Sequence, residues 1–275
     1  MNHDLGEFLR TRRARVRPDD VGLPGGGRRR VPGLRREELA LLAGVSVDYY
    51  MRLEQGRTPA VSDAVLDAVA RVLRLDETER AHLRNLVRPA ARPRRAAPQR
   101  IRPGLQRLLD RMTDVPAFVM GRRSDLLAWN ALGDALYGFS DFAPDMLNSA
   151  RHTFLDPASR RFYRDWPTVA ADTVAVLRLD AGRHPDDARL AALVGELSVK
   201  DELFARLWAQ HAVLEKTHGT KLMHHDVVGD LDLDYEVLAL PGDPDLQLAV
   251  YTAREGSPTE ERLRLLASWS ASVDA

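Results

Sequence analysis

The chain contains no cysteine. That excludes disulfides, zinc–thiolate centres and cysteine nucleophiles. No apolar run approaches the roughly 20 residues a membrane-spanning helix requires. The first thirty residues hold many arginines and no continuous apolar segment, so a cytoplasmic protein without a secretory signal is expected. There is no His-Glu-x-x-His pattern, no G-x-S-x-G elbow, no phosphate-binding Gly-Lys-Ser/Thr loop and no dinucleotide fingerprint. Gly25-Gly26-Gly27 is not followed by a helix at the needed spacing. His211, His218, His224 and His225 are close in sequence, but His224 and His225 on a strand would point to opposite faces. The expectation is therefore a protein that is not an enzyme and has neither metal nor cofactor.

The 275 residues suit about two domains. A hydrophobic content of 44% with 29% charged residues is that of an ordinary globular chain. The net charge of zero conceals an asymmetry. Residues 1–100 hold 21 basic against 13 acidic groups, a balance of +8, and the remaining 175 residues carry −8. Only the first part is thus suited to face a polyanion. All 21 of its basic groups are arginine, whose planar fork matches phosphate and guanine, although a GC-rich genome would also favour arginine.

Residues 1–88 are helical in pattern. Residues 89–103 carry Pro89, Pro93, Pro98 and Pro103 among arginines and alanines and read as a linker. Residues 104–275 mix helical stretches with period-two runs. Within the first segment, Leu5 to Val16 reads as a helix. The stretch from Pro24 to Arg30 is either a flexible connection or a basic wing that touches DNA. Leu39 and Leu42 then share a helix face, Gly44 suits a helix end, Ser46 suits an N-cap, and Tyr50 and Leu53 share the next face before Gly56. A helix, a short turn and a second helix form the motif that enters a major groove. Ser62 and Asp76 with Glu79 start two further helices.

Glu38-Leu39-Ala40, Gly44-Val45-Ser46 and Arg52-Leu53-Glu54-Gln55-Gly56 resemble the xenobiotic-response-element class of helix-turn-helix proteins, related to the small phage repressors. The resemblance implies that Val47, Asp48 and Arg52 project toward base edges, with Tyr49 a further contact. Arg35, Arg36 and Arg57 would bind phosphate, and Arg13 would pair with Glu54. Arg52 suits bidentate guanine readout; Val47 either packs on a thymine methyl or faces solvent.

In the body, Leu231, Leu233, Tyr235 and Val237 alternate with acidic residues as a half-buried strand does. Pro241-Gly242-Asp243-Pro244 is a turn, Leu246 to Val250 a neighbouring strand, and Pro116–Asn130 a further strand candidate. Val31-Pro32-Gly33-Leu34-Arg35-Arg36 together with Leu126-Leu127-Ala128-Trp129-Asn130 and Gly182-Arg183-His184-Pro185-Asp186 is similar to the MmyB-like regulators of actinobacteria. That similarity implies an all-α five-helix DNA-binding domain over 1–88 and an α+β PAS-like domain over 104–275 that binds a small, fatty-acid-like molecule. Trp129 and Asn130 are candidate ligand contacts, with a helix cap the other reading of Asn130. Phe204, Leu207, Trp208 and His211 share a helical face, which is either core or, at Trp208 and His211, the wall of a pocket.

The expectation is a sequence-specific, homodimeric transcription regulator that binds double-stranded operator DNA and answers to a small apolar effector. The alternative makes the body a protein-interaction or dimerisation module.

Overall fold

Local sequence sets the helix ends. The Ser46 hydroxyl accepts from the Tyr49 amide at 3.1 Å, the Ser62 hydroxyl from Val65 at 3.4 Å, and Asp76 and Glu79 exchange hydrogen bonds at 2.8 and 3.2 Å. Gly44 ends its helix at φ +68°, where a side chain would be strained. The computed structural model describes residues 3–24, 31, 33–58, 60–88 and 99–273. The arginine-rich stretch at 25–30 and most of the proline-rich linker lie outside them.

The helices are α1 (His3–Arg15), α2 (Arg36–Ala43), α3 (Val47–Glu54), α4 (Asp63–Val72), α5 (Glu77–Val87), α6 (Pro103–Arg111), α7 (Ala131–Tyr137), α8 (Ser149–Leu155), α9 (Ser159–Phe162), α10 (Trp166–Arg183), α11 (Ala188–Lys200), α12 (Glu202–Ala209) and α13 (Pro258–Val273). The strands are β1 (Ala117–Met120), β2 (Leu126–Trp129), β3 (His218–His225), β4 (Gly229–Ala239) and β5 (Gln247–Thr252). An all-α region is therefore followed by an α+β region, the expected fold class. Two compact units result. One gathers the chain up to residue 93 with Arg178–Asp187 and Leu207–Glu215; the other holds the remainder.

In the first unit, α1–α5 enclose a core that includes Phe8, Leu9, Leu39, Tyr50, Leu53, Leu66 and Leu83. Each such side chain contributes roughly 1.5–3 kcal/mol on burial. Two polar clusters are set into this unit. Glu54, its side chain only 2% exposed, accepts from Arg13 at 3.2 and 3.3 Å and from Arg36 at 2.9 and 3.2 Å. Arg13 also donates to the Leu34 carbonyl at 2.7 Å, tying α1 to the entry of α2. Burial alone would raise the Glu54 carboxyl; hydrogen bonds from Arg36 and Arg13 outweigh it and hold the group below its ordinary range. In the second cluster, Arg12 pairs with Glu79 at 2.7 Å and donates to the His211 carbonyl at 2.7 Å. His82 is buried edge-on to Phe8 at 5.1 Å. Burial, reinforced by Arg178 and Arg12, pushes its imidazole down to about 3.

The second unit is built on one antiparallel sheet of order β2-β1-β5-β4-β3. The single strand candidate at Pro116–Asn130 is two strands, because Gly121–Asp125 turns the chain back on itself. On β4 the alternation holds: Leu231, Leu233 and Tyr235 are buried while Asp232 and Glu236 are exposed. Tyr235 stands opposite Tyr251 of β5, placing both rings on one face.

Glu54→Ala leaves two arginine forks without their buried carboxylate, so the first unit should lose about 3–5 kcal/mol in denaturant unfolding of the full chain. A loss below about 1 kcal/mol, the scale of an exposed pair, would show that the cluster is solvated. His82 gives a second prediction. Its folded value lies below its unfolded one, so stability is complete above about pH 6.5 and falls as pH drops, by about 2 kcal/mol between pH 7 and pH 5. The slope of melting temperature against pH over that interval should flatten in His82→Leu; an unchanged slope assigns the dependence to other groups.

Candidate nucleic-acid interface and effector cavity

On α3 the burial pattern separates two faces. Tyr50, Leu53 and Glu54 are buried, whereas Val47, Asp48 and Arg52 are exposed and Tyr49 is half-buried. The helix begins at the Ser46 cap after the Gly44 turn, so its two turns present one exposed edge. Arg35 precedes α2 with its backbone amide bound to Glu38 at 2.8 Å and its side chain near Glu37 at 3.6 Å. Arg57 is exposed just past α3. Arg36 differs from the expectation. Its side chain is about half exposed, but two of its nitrogens bind Glu54, so the fork anchors α2 to α3 rather than standing free for phosphate. The Arg13–Glu54 pair implied by the resemblance is the other half of that anchor.

A cavity of about 70 Å³ lies within the second unit, partly open to solvent. Its walls come from the sheet (Phe118, Tyr235, Val237, Tyr251) and from α7, α8 and α10 (Tyr137, His152, Thr173, Val176). The aromatic wall is self-packed: Tyr137 and Phe139 stack at 4.9 Å, and Phe118 lies near-parallel to Tyr251 at 5.8 Å. Burial raises the hydroxyls of Tyr137, Tyr163 and Tyr251 above their ordinary range, so they remain protonated. Two lysines share this wall. Lys216 pairs with Asp172 at 2.9 Å. Lys221 lies over the Tyr163 ring, its Nζ 5.0 Å from the centroid. Burial, with a smaller contribution from Lys216, brings the Lys221 amine down to about 7 against the opposing pull of Asp172. Burial likewise lowers the His152 imidazole; Asp156, 3.2 Å away, opposes this, and Lys221 adds to it.

The residues expected at a pocket stand elsewhere. Asn130 is buried and its side chain is fully engaged. Its Oδ1 accepts from Ala117 at 2.9 Å and Gly133 at 2.8 Å, while Nδ2 donates to the carbonyls of Met112 at 2.6 Å and Val115 at 2.7 Å. It caps α7 and joins it to β1, the other reading of its position. Trp129 packs against Phe139 at 5.1 Å without reaching the cavity wall. Trp208 and His211 belong to the first unit. The helix α12 ends at Ala209, and His211 follows it at φ +52°, so the shared face expected over Phe204–His211 breaks before the histidine. Phe204 is fully buried, as core. The cavity's own polar residues carry little signal in the sequence. Their one sequence signal is the alternation along β4 that places Tyr235 inward; Tyr251 reaches the same face only through the register of β5, whose Leu248 and Val250 face the other side, and the positions of Lys216, Lys221 and Tyr137 depend on how α7 and α10 cover the sheet.

Among the described residues, no helix is long and apolar enough to cross a membrane, and no group of three or more His, Cys, Asp or Glu side chains could hold a metal ion. A helix-turn-helix domain profile matches residues 4–83, which contain α2 and α3. No curated protein matches the chain. The profile of the MmyB-like transcription regulator ligand binding domain matches residues 101–266, more than half of the sequence and all five strands. With a DNA-binding helical unit ahead of a sheet that holds a cavity, the chain belongs to the MmyB-like transcription regulators.

Proposed function

We propose that this regulator reads a specific operator through α3 as a homodimer, and that a small, largely apolar, fatty-acid-like effector in the cavity governs that binding. The observation that carries the DNA reading is the division of α3 into a buried face and an exposed edge of Val47, Asp48 and Arg52. In this reading Arg52 donates to guanine, Val47 meets a thymine methyl, Asp48 accepts from cytosine, and Tyr49 adds a contact beside them. Arg35 and Arg57 hold phosphates, with Arg36 contributing what Glu54 leaves of its fork. The general geometry of such motifs supports dimerisation: one motif covers a half-site, and two half-sites give an operator its length.

Support for the effector comes from the aromatic and aliphatic walls of the cavity. Size narrows its form. A cavity of about 150 Å³ holds one benzene, so the 70 Å³ here encloses a head group or chain end, and a longer alkyl chain must pass through the open side.

The test is operator selection from random duplexes followed by affinity measurement over a range of salt. Arg52→Ala should cost about 1–3 kcal/mol and relax preference at one base pair. Arg35→Ala and Arg57→Ala should weaken all sequences alike, each reducing the salt slope by about 1. Undiminished binding by the protein with Arg35, Arg52 and Arg57 all replaced by alanine would end the DNA assignment. Effector control is checked by adding decanoic acid: a raised melting temperature with altered operator affinity supports it, and neither change refutes it.

A further inference from the structure

We propose that Lys221 is a nucleophile that captures a carbonyl-bearing ligand, an aldehyde or ketone on a small apolar body, as a reversible imine within the cavity. The proposal rests on the reading of that cavity as the effector site and extends it from holding a ligand to bonding with one.

The first observation is one of usage. Of the chain's 40 basic residues only three are lysine: Lys200, Lys216 and Lys221. Lys200 makes an ordinary pair with Glu196 on α11 at 2.8 Å. The other two both line the cavity. Elsewhere arginine supplies the positive charge, and arginine would also be the better receptor for a carboxylate, because its fork binds both oxygens. What lysine offers and arginine cannot is a proton that leaves and a nitrogen lone pair that attacks. In an arginine-dominated chain, two lysines at one cavity mark the place where that difference is used.

The second observation is the setting of the amine. Among the described residues no carboxylate lies within ion-pair distance of the Lys221 Nζ; its close partner is the Tyr163 ring at 5.0 Å. Asp172 is engaged by Lys216 at 2.9 Å, which places a second cation beside the first without neutralising it. His152 from α8, Tyr163 after α9 and Asp172 from α10 are the other ionisable groups around it. A lysine desolvated among aromatic walls and next to another cation is the arrangement that activates an amine. With the amine brought down to about 7, a large part is free base at neutral pH.

The chemistry balances with no further reagent. The Nζ lone pair attacks the carbonyl carbon and forms the C–N bond, while the C=O π pair moves to oxygen. One amine proton is transferred to that oxygen, giving a carbinolamine. Loss of the hydroxyl with the second amine proton releases one water and forms C=N. The buried tyrosine hydroxyls of the wall remain protonated and can relay the proton to oxygen. Lys216 stays paired with Asp172 at 2.9 Å. The enclosed 70 Å³ takes the carbonyl and a few carbons, leaving any longer chain toward the open side.

The experiment treats the full-length protein with hexanal and sodium cyanoborohydride at neutral pH and maps the reductively alkylated amines by peptide mass spectrometry. Alkylation at Lys221 should exceed that at Lys200 and Lys216 by at least ~10-fold, should disappear from that peptide in Lys221→Arg, and should be suppressed by excess decanoic acid. Labelling spread over the three lysines according to exposure, or an unlabelled Lys221, overturns the proposal; the wild-type map decides this even if the variant folds poorly. The two readings fail separately. Decanoic acid that raises the melting temperature without selective labelling of Lys221 leaves the effector site standing and removes the imine. Selective labelling with operator affinity unchanged by either compound keeps the imine and removes the sensing role.

Discussion

Taking the Glu54 carboxylate out of water is the constraint on which the DNA-reading unit depends. An ionised carboxylate buried alone costs several kcal/mol, so the position is tolerable only with cations brought to it. Arg13 arrives from α1 and Arg36 from the start of α2, while Glu54 itself ends α3. Three helices are thereby fixed by one charge. The direction of α3 follows, and with it which residues stand outward. Tyr50 and Leu53 must turn inward beside Glu54, so Val47, Asp48 and Arg52 are left at the surface. The exposed edge of the helix is the complement of the face that carries Tyr50, Leu53 and the buried carboxylate.

The second unit solves a related problem by a different route. Here the buried polar groups are distributed around a cavity whose walls are mainly aromatic. Asn130 shows how closed the surrounding structure is. With four hydrogen bonds to backbone groups, it locks the start of α7 onto β1 and the end of α6. Every polar atom of that amide is used by the fold, which removes it from ligand chemistry. Lys221 is the opposite case: among the described residues no carboxylate lies within ion-pair distance of its amine, which sits over the Tyr163 ring. Interior polar groups that are fully paired belong to the structure; those that are not keep a capacity for chemistry.

The elements legible in the sequence were those set by short-range rules. Ser46, Ser62 and Asp76 announced helix starts through hydroxyl or carboxylate caps, and Gly44 announced an end. The alternation along Leu231–Val237 announced β4 and its inward face. Less was legible where long-range placement decides. Trp208 and His211 obey helical spacing, yet the chain leaves α12 at Ala209 and the histidine takes a left-handed conformation. Arg36 has the composition of a phosphate contact, but a buried acid within reach claims two of its nitrogens. The cavity residues come from strands and helices far apart in sequence, and no local pattern links Tyr137 to Lys221 or Tyr251.

Residue choice carries information that periodicity does not. Periodicity reports which face is buried, and both lysine and arginine are compatible with the same half-buried strand position. Their difference lies in the proton. Desolvation acts on both, but it moves only lysine into the physiological range, since the guanidinium starts far above it. The cost of holding Arg12 and Arg178 in the interior is therefore met by carboxylates and carbonyl oxygens, and both remain cations. Lys221, without such partners within ion-pair distance among the described residues, has its amine lowered toward neutrality by burial. A strand position that could have carried another arginine instead carries an amine that can give up its proton, and under the proposed imine that amine, rather than the surrounding rings, is the part of the wall that distinguishes a carbonyl-bearing ligand from an inert one.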